Sequence, residues 1–263
     1  MLSRNQVKYY SSLRYKKFRN KFGVFLAEGN KIVQELTKQS SDLIRLKTLL
    51  ALPEFLKQEE NWPKSLKIIE ISEEDLKRIS SLTTPNQAIL EIEIPNYTWV
   101  PEDILSQYSF FLDNIQDPGN LGTIIRIADW FGINHIFCSP GSVDVFNPKV
   151  IQSTMGSFAR IKVHYEMSNI FTEMPEFSFP EYLKVAAVLE GESIYEANLG
   201  NGGIIFFGNE SKGLEQSIID RADKRISILR YPGHSGAESL NISSAAAIFG
   251  SELLRRKLTQ SGN

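Results

Sequence analysis

Apolar and polar positions along the chain follow two periods, and the balance between them shifts near residue 95. Residues 3–21 carry helical spacing, and Gly23 to Gly29 reads as a strand ending in a turn. Asn30 to Gln39 returns to helical spacing, with Ile32, Val33 and Leu36 on one face. Leu43 to Ala51 and Lys67 to Ile71 read as strands, with a short helix over Pro53 to Gln58 between them. Ser72 followed by Glu73, Glu74 and Asp75 starts a further helix, because a hydroxyl caps the free N–H groups and acids complement the helix dipole. Ala88 to Ile94 is another strand. These elements predict a small αβ domain over residues 1–95.

Pro95, Asn96, Tyr97 and Pro101 mark a linker over residues 96–107. From 108 to 263 the strands are short and apolar: Phe110 to Leu112, His135 to Cys138, Ala159 to Val163, Leu183 to Leu189, Gly203 to Phe207 and Arg225 to Leu229. Helical stretches fall between and after them, at Asn120 to Phe131 (stopped by Gly132), Lys149 to Thr154, Leu214 to Asp220 and Asn241 to Lys257. Buried strands alternating with helices predict an α/β domain with a mostly parallel sheet flanked by helices on both faces. No internal repeat is visible.

Composition narrows the classes. At 263 residues, 42% hydrophobic and 23% charged, the chain has the make-up of a soluble globular protein of one large or two ordinary domains. Its one cysteine, Cys138, excludes an internal disulfide framework and a cysteine zinc site, and His135, His164 and His234 lack metal-ligand spacing, so no metal is expected. With no secretory apolar core and no run of about 18 apolar residues, the expectation is a cytoplasmic protein without a membrane partner.

Charge divides unevenly. Residues 1–95 hold 16 Lys and Arg against 12 Asp and Glu, whereas 96–263 hold 13 against 19. The first 21 residues carry seven basic side chains and no acid, interleaved with Tyr9, Tyr10, Tyr15 and Phe18. Basic groups neutralise phosphates and aromatic faces stack on unpaired bases, so Lys16, Lys17, Arg19 and Lys21 are candidate RNA contacts; a solvated helix with buried aromatics is the alternative.

Three polar clusters follow apolar strands, where ligands bind in open α/β sheets. The first runs from Asp113 through Asp117-Pro118-Gly119-Asn120-Leu121-Gly122 to Arg126, with Asn120 placed to cap a helix. The second is Phe206-Phe207-Gly208-Asn209-Glu210-Ser211-Lys212-Gly213-Leu214, where Gly208 lets backbone approach a ligand and Glu210 alternatively only complements a helix start. The third is Gly233 to Ala245, in which Ser239 and Asn241 are also good caps. No GxSxG, GxGxxG or GxxxxGK[ST] occurs, which removes the usual hydrolase, dinucleotide and P-loop readings.

In order and spacing, the three clusters resemble the three motifs of the SpoU (TrmH-like) family of SPOUT RNA methyltransferases, carried by Asp117 to Arg126, by Phe207 to Leu214 and by Glu238-Ser239-Leu240-Asn241-Ile242-Ser243. Val24-Phe25-Leu26-Ala27-Glu28-Gly29 resembles the L30e-like substrate-binding domain often fused to it. The resemblance implies a C-terminal trefoil knot and a homodimer joined through the last helix. It also implies S-adenosyl-L-methionine as cofactor, held by Gly208, Ile228 and Leu240, and methyl transfer to a ribose 2′-hydroxyl of rRNA or tRNA, with rRNA favoured. Asn120, Arg126, Glu210, Ser239 and Asn241 are the implied catalytic set. The resemblance offers Arg126 as proton acceptor; because a guanidinium stays charged, it reads mainly as a phosphate clamp, with the acceptor role the alternative. Two departures stand out. Ile228-Leu229-Arg230 stands where many members have Ile-Pro-Met, followed by a longer connection over 231–237. Gln152 and Thr154 stand where an Arg and a Ser often contact substrate. The alternative is a non-catalytic RNA-binding or ribosome-assembly factor on the same fold.

Overall fold

A computed structural model describes residues 1–38, 43–59, 61–98, 101–165, 170–173, 179–233 and 236–261. In chain order the elements are α1 (Arg4–Ser12), α2 (Lys16–Phe22), β1 (Val24–Glu28), α3 (Asn30–Lys38), β2 (Leu46–Ala51), α4 (Pro53–Leu56), β3 (Lys67–Glu70), α5 (Glu73–Ile79) and β4 (Ala88–Glu93). There follow α6 (Pro101–Leu105), β5 (Tyr108–Leu112), α7 (Pro118–Phe131), β6 (His135–Cys138), α8 (Pro148–Thr154), β7 (Lys162–His164), α9 (Ile170–Glu173), β8 (Leu183–Ser193), β9 (Gly203–Phe207), α10 (Gln216–Ile219), β10 (Lys224–Ser227) and α11 (Ile242–Ser261). Two units form: residues 1–96 with 144–160, and residues 97–143 with 161–263.

In the first unit the single helix expected over 3–21 is broken. Ser3 caps α1 through a reciprocal bond with Gln6, the chain leaves helical geometry at Leu13 to Tyr15, and α2 ends on Gly23 at φ 65. Arg19 accounts for the break. Its buried guanidinium donates to the carbonyls of Leu13 (3.0 Å) and Arg14 (2.8 Å), which the corner frees, and pairs with Asp144 at 2.5 Å. Arg19 is therefore a structural tie, and the expectation that it meets RNA is corrected; Lys16, Lys17 and Lys21 on the same helix are exposed.

The first sheet has the order β1-β4-β2-β3, with β4 antiparallel to both neighbours and β2 parallel to β3. The period of two along β1 sends Val24 and Leu26 to one core, with Tyr10 and Leu76, and Phe25 and Ala27 to another, with Ile32 and Leu49. Residues 144–160, expected with the second domain, complete that other core. Ile151, Phe158 and Ala159 join it, and the Phe25 ring lies 4.7 Å from that of Phe146 and 5.5 Å from that of Phe158. Arg160 pairs with Glu35 at 2.7 Å.

The second unit carries a six-stranded sheet of order β10-β8-β9-β5-β6-β7, every neighbouring pair parallel. Its strands β5, β6 and β9 are buried along their whole length, as apolar runs in a parallel sheet require. Three expectations change here. The stretch expected as linker contains α6. Ser157 to Ala159 forms a 3₁₀ turn, so the strand expected from Ala159 starts at Lys162. Residues 208–215 stay out of helix, so Glu210 sits in a turn, with α10 starting only at Gln216. On β6 and β7, His135 and His164 lie parallel with ring nitrogens 3.1 Å apart, both buried. Desolvation holds both rings below the usual histidine range.

Candidate active site

The site begins with register. β5 and β9 are parallel neighbours, Leu112 opposite Phe207, so the loops that follow them leave the same edge of the sheet. The loops are then tied together. Asp113 donates its N–H to the Phe207 carbonyl at 2.9 Å and accepts the Glu215 N–H on its carboxylate at 3.3 Å. The Asn209 side chain donates to the Asn114 carbonyl at 2.8 Å, while its own oxygen takes the N–H groups of Ser211 (2.9 Å) and Lys212 (3.2 Å). Asn209 and Gly213 exchange both backbone bonds, which closes a tight turn around Glu210. Gly208 is required by this closure: a Cβ there would lie 2.1 Å from the Leu214 nitrogen.

The third segment arrives from β10 and ends at α11. Asn241 caps that helix, its side-chain oxygen accepting the Ser243 N–H at 2.8 Å. Asp117, rather than the expected Asn120, caps α7, and its carboxylate accepts the Asn120 N–H at 2.8 Å. That frees the Asn120 side chain to join the three segments. Its oxygen accepts from Asn241 Nδ2 (3.0 Å) and Ser243 Oγ (3.1 Å), and its Nδ2 donates to Glu210 Oε1 at 2.5 Å. Both acceptor positions on the amide oxygen are filled, so the orientation of the amide is set by its partners.

The structure thus brings together Asn120, Glu210 and Asn241 from the expected catalytic set. Ser239 is exposed and stands outside this network. Arg126 is exposed on α7, six residues beyond Asn120, with no hydrogen-bond or ion-pair partner among the described residues. Gly208 is half-buried in the turn, Ile228 directly follows β10, and Leu240, 51% exposed, directly precedes Asn241. His234 and Ser235 of the third cluster lie outside the described residues. Ser243 was missed as a site residue, although its place two positions after Asn241, in the opening turn of a helix, was visible. Among the described residues no group of three or more His, Cys, Asp or Glu is arranged to hold a metal. No helix among them is long and apolar enough to cross a membrane.

A parallel sheet whose loops converge on one asparagine defines the class. Residues 107–251 match the SpoU rRNA Methylase family, and the chain belongs to that family. Residues 4–90 match the MRM3-like substrate binding domain. The 23S rRNA (guanosine(2553)-2′-O)-methyltransferase RlmP of Bacillus subtilis is 29% identical over 264 residues, which cover 94% of this chain and 95% of RlmP. A TrmH-family structure from Porphyromonas gingivalis is 35% identical, covers 97% of this chain and 99% of its own, and superposes with a TM-score of 0.84. An AdoMet-bound rRNA methyltransferase from Sinorhizobium meliloti is 25% identical, covers 97% of this chain and 96% of its own, and has a TM-score of 0.80.

Proposed function

We infer that the chain is an S-adenosylmethionine-dependent methyltransferase acting on a ribose 2′-hydroxyl of ribosomal RNA. The observation that carries this reading is the Asn120 amide, which ties Glu210, Asn241 and Ser243 into one polar floor at the sheet edge. Membership of the SpoU rRNA Methylase family supports the reaction, and the likeness to RlmP supports a 23S-type substrate. A ribosomal substrate is compatible with the cytoplasmic location expected from the sequence.

The cofactor fits the residues present. The turn after Gly208 has no space for a side chain there, so backbone lines it. Leu229 and Leu240, 61% and 51% exposed, are apolar side chains on otherwise polar segments, as suits covering an adenosyl group. Gly208, Ile228 and Leu240 would hold it. When bound, S-adenosylmethionine supplies an activated methyl on a sulfonium. The protein's own part is positioning. The Arg126 guanidinium, exposed on α7, is free to grip a phosphate, which aligns the adjacent ribose and favours the negative charge that develops on its oxygen. Glu210 is held by Asn120, and Ser239 and Asn241 flank Leu240 at the methyl-transfer pocket.

The first domain, over residues 1–95, is the RNA-binding part in this reading, with Lys16, Lys17 and Lys21 as contacts. Residues 108–263 are the catalytic part, and the strand order, with β8 between β10 and β9, suits the trefoil knot expected there. A homodimer through α11 is supported by the exposed Trp130 on α7 and Leu258 on α11, two helices packed on each other.

The test is transfer of labelled methyl from S-adenosylmethionine to ribosomal RNA, with 2′-O-methyl mapping of the product. Arg126→Ala is expected to lower the rate about 100-fold or more while cofactor binding persists. RNA binding without any cofactor binding or methyl transfer would instead identify a non-catalytic RNA-binding factor.

A further inference from the structure

The second unit carries eleven Lys and Arg against eighteen Asp and Glu, a net of −7. If the proposed function holds, a polyanion must approach this acidic body. Most of its basic side chains are already engaged. Lys162 pairs with Asp103 at 3.8 Å, Lys184 with Asp223 at 3.0 Å, Lys224 with Glu192 at 3.1 Å, and Arg225 with Asp220 at 3.5 Å. Arg255 and Arg256 share Glu252, and Arg221 lies over the Phe171 ring. Lys257 is engaged as well.

Arg126, Lys212 and Arg230 have neither an ion-pair nor a ring partner among the described residues. Each belongs to a different one of the three segments around Asn120, and all three are exposed. Lys212 sits in the turn that Asn209 and Gly213 close, two residues after Glu210, whose carboxylate is bonded to Asn120. Its backbone is pinned by Asn209 while its ammonium is free. Among the described residues Arg230 donates to the Gly236 carbonyl, at 3.3 Å. Gly236 precedes Asn241 by five residues, a reach of at most about 18 Å of chain. Ion pairs weaken the attraction of most other cations for a polyanion, so, Arg221 apart, the unpaired positive charge described in this unit lies on the three segments around Asn120.

We propose that Lys212 and Arg230 are substrate-positioning residues that grip backbone phosphates beside the target nucleotide, completing with Arg126 a three-point clamp on the RNA strand. This rests on the reading of the chain as an RNA methyltransferase. Ammonium and guanidinium are both suited to phosphate, and the guanidinium adds a bidentate, directional grip.

The experiment measures binding of the full-length protein to 23S-type ribosomal RNA transcripts across a potassium chloride series, with S-adenosylmethionine affinity and thermal midpoint recorded in parallel. Lys212→Gln and Arg230→Gln are each expected to weaken RNA binding several-fold at low salt. Each should reduce the slope of log affinity against log salt by about 0.7–0.9, and the double variant by about twice that. Lys224→Gln, whose ammonium is paired with Glu192, should leave the slope unchanged. An unchanged slope in the folded double variant, with wild type steeply salt-dependent, overturns the clamp and leaves the methyltransferase reading intact. A loss of S-adenosylmethionine affinity with an unchanged RNA slope also overturns it, by placing these cations on the cofactor carboxylate. If wild type neither binds nor methylates RNA, the underlying reading fails and the clamp with it.

Discussion

Asn120 is the residue on which the site turns, and its amide is irreplaceable by its nearest isostere. Asn120→Asp keeps the shape and the two bonds accepted from Asn241 and Ser243, but sets a second carboxylate 2.5 Å from Glu210. Methyl transfer is expected to fall by about 100-fold or more at neutral pH, because the pair cannot both ionise without repulsion and the polar floor opens. Asn120→Ala leaves the buried Ser243 hydroxyl short of a partner, while water replaces the bonds to the exposed Glu210 and Asn241, and should cost about 1 kcal/mol of stability, read by urea denaturation. If both variants keep wild-type rates, the amide is not the junction of the site. At this scale residue types were legible and partners were not. The motif spacing picked out Asn120, Glu210 and Asn241. Asn120 was expected as a cap because asparagine is a good one, yet Asp117 does the capping and frees the side chain for longer-range bonds. Arg19 looked like its basic neighbours, and nothing local reveals a partner at Asp144, 125 positions away.

Elements were easier to read where burial dictates the pattern. The fully buried strands β5, β6 and β9 lie where the apolar runs are, and Gly132, at φ 69, ends α7 as expected. Short elements without a periodic signature, α6 and α9, were not anticipated. The break between α1 and α2 depends on the buried Arg19, so helical spacing alone suggested one continuous helix. The last helix carries its own anchor. Glu252, buried on α11, accepts from Arg255 and Arg256 at 2.7 Å, and Arg256 also donates to the carbonyls of Ile194 and Ala197 in the segment after β8. The bonds from Arg255, reinforced by Arg256, hold the Glu252 carboxyl down to about 2. A depressed carboxyl stabilises the fold above its unfolded value of about 4.3, and that contribution disappears only as pH falls toward 2. Glu252→Ala should therefore destabilise the protein by about 2 kcal/mol at neutral pH. The difference from wild type should shrink in strong acid, and a constant difference would argue that the loss is packing alone.

For the molecule as a whole, acid sensitivity near neutrality has a specific source. Burial keeps His135 and His164 uncharged in the folded state, so below about pH 6.5 the unfolded chain binds protons that the folded chain refuses. Stability then falls with decreasing pH, by about 1.4 kcal/mol per group for each unit. Chemical denaturation between pH 7 and pH 5 should show this slope, and a His135→Phe/His164→Phe variant should flatten it; an equal slope in both would assign the effect elsewhere. The two-part organisation was legible from composition, but the return of residues 144–160 was not, since their pattern suits any core. A fragment ending at residue 96 lacks Ile151, Phe158 and Ala159 from the Phe25 core. Losses of buried Phe and Ile run to several kcal/mol each, comparable with the whole stability of a small domain. Such a fragment is expected to bind hydrophobic dye and to melt without a cooperative transition, whereas adding 144–160 through a short linker should restore one. The same arrangement governs how the protein is born. Translation delivers the front part first, yet its interior stays unsealed until residue 160 clears the exit tunnel, by which time β5, α7 and β6 of the rear part have already emerged. The front part therefore cannot mature before those rear elements are out, and a chaperone that shields the nascent Phe25 surface during that interval would raise the yield of active enzyme.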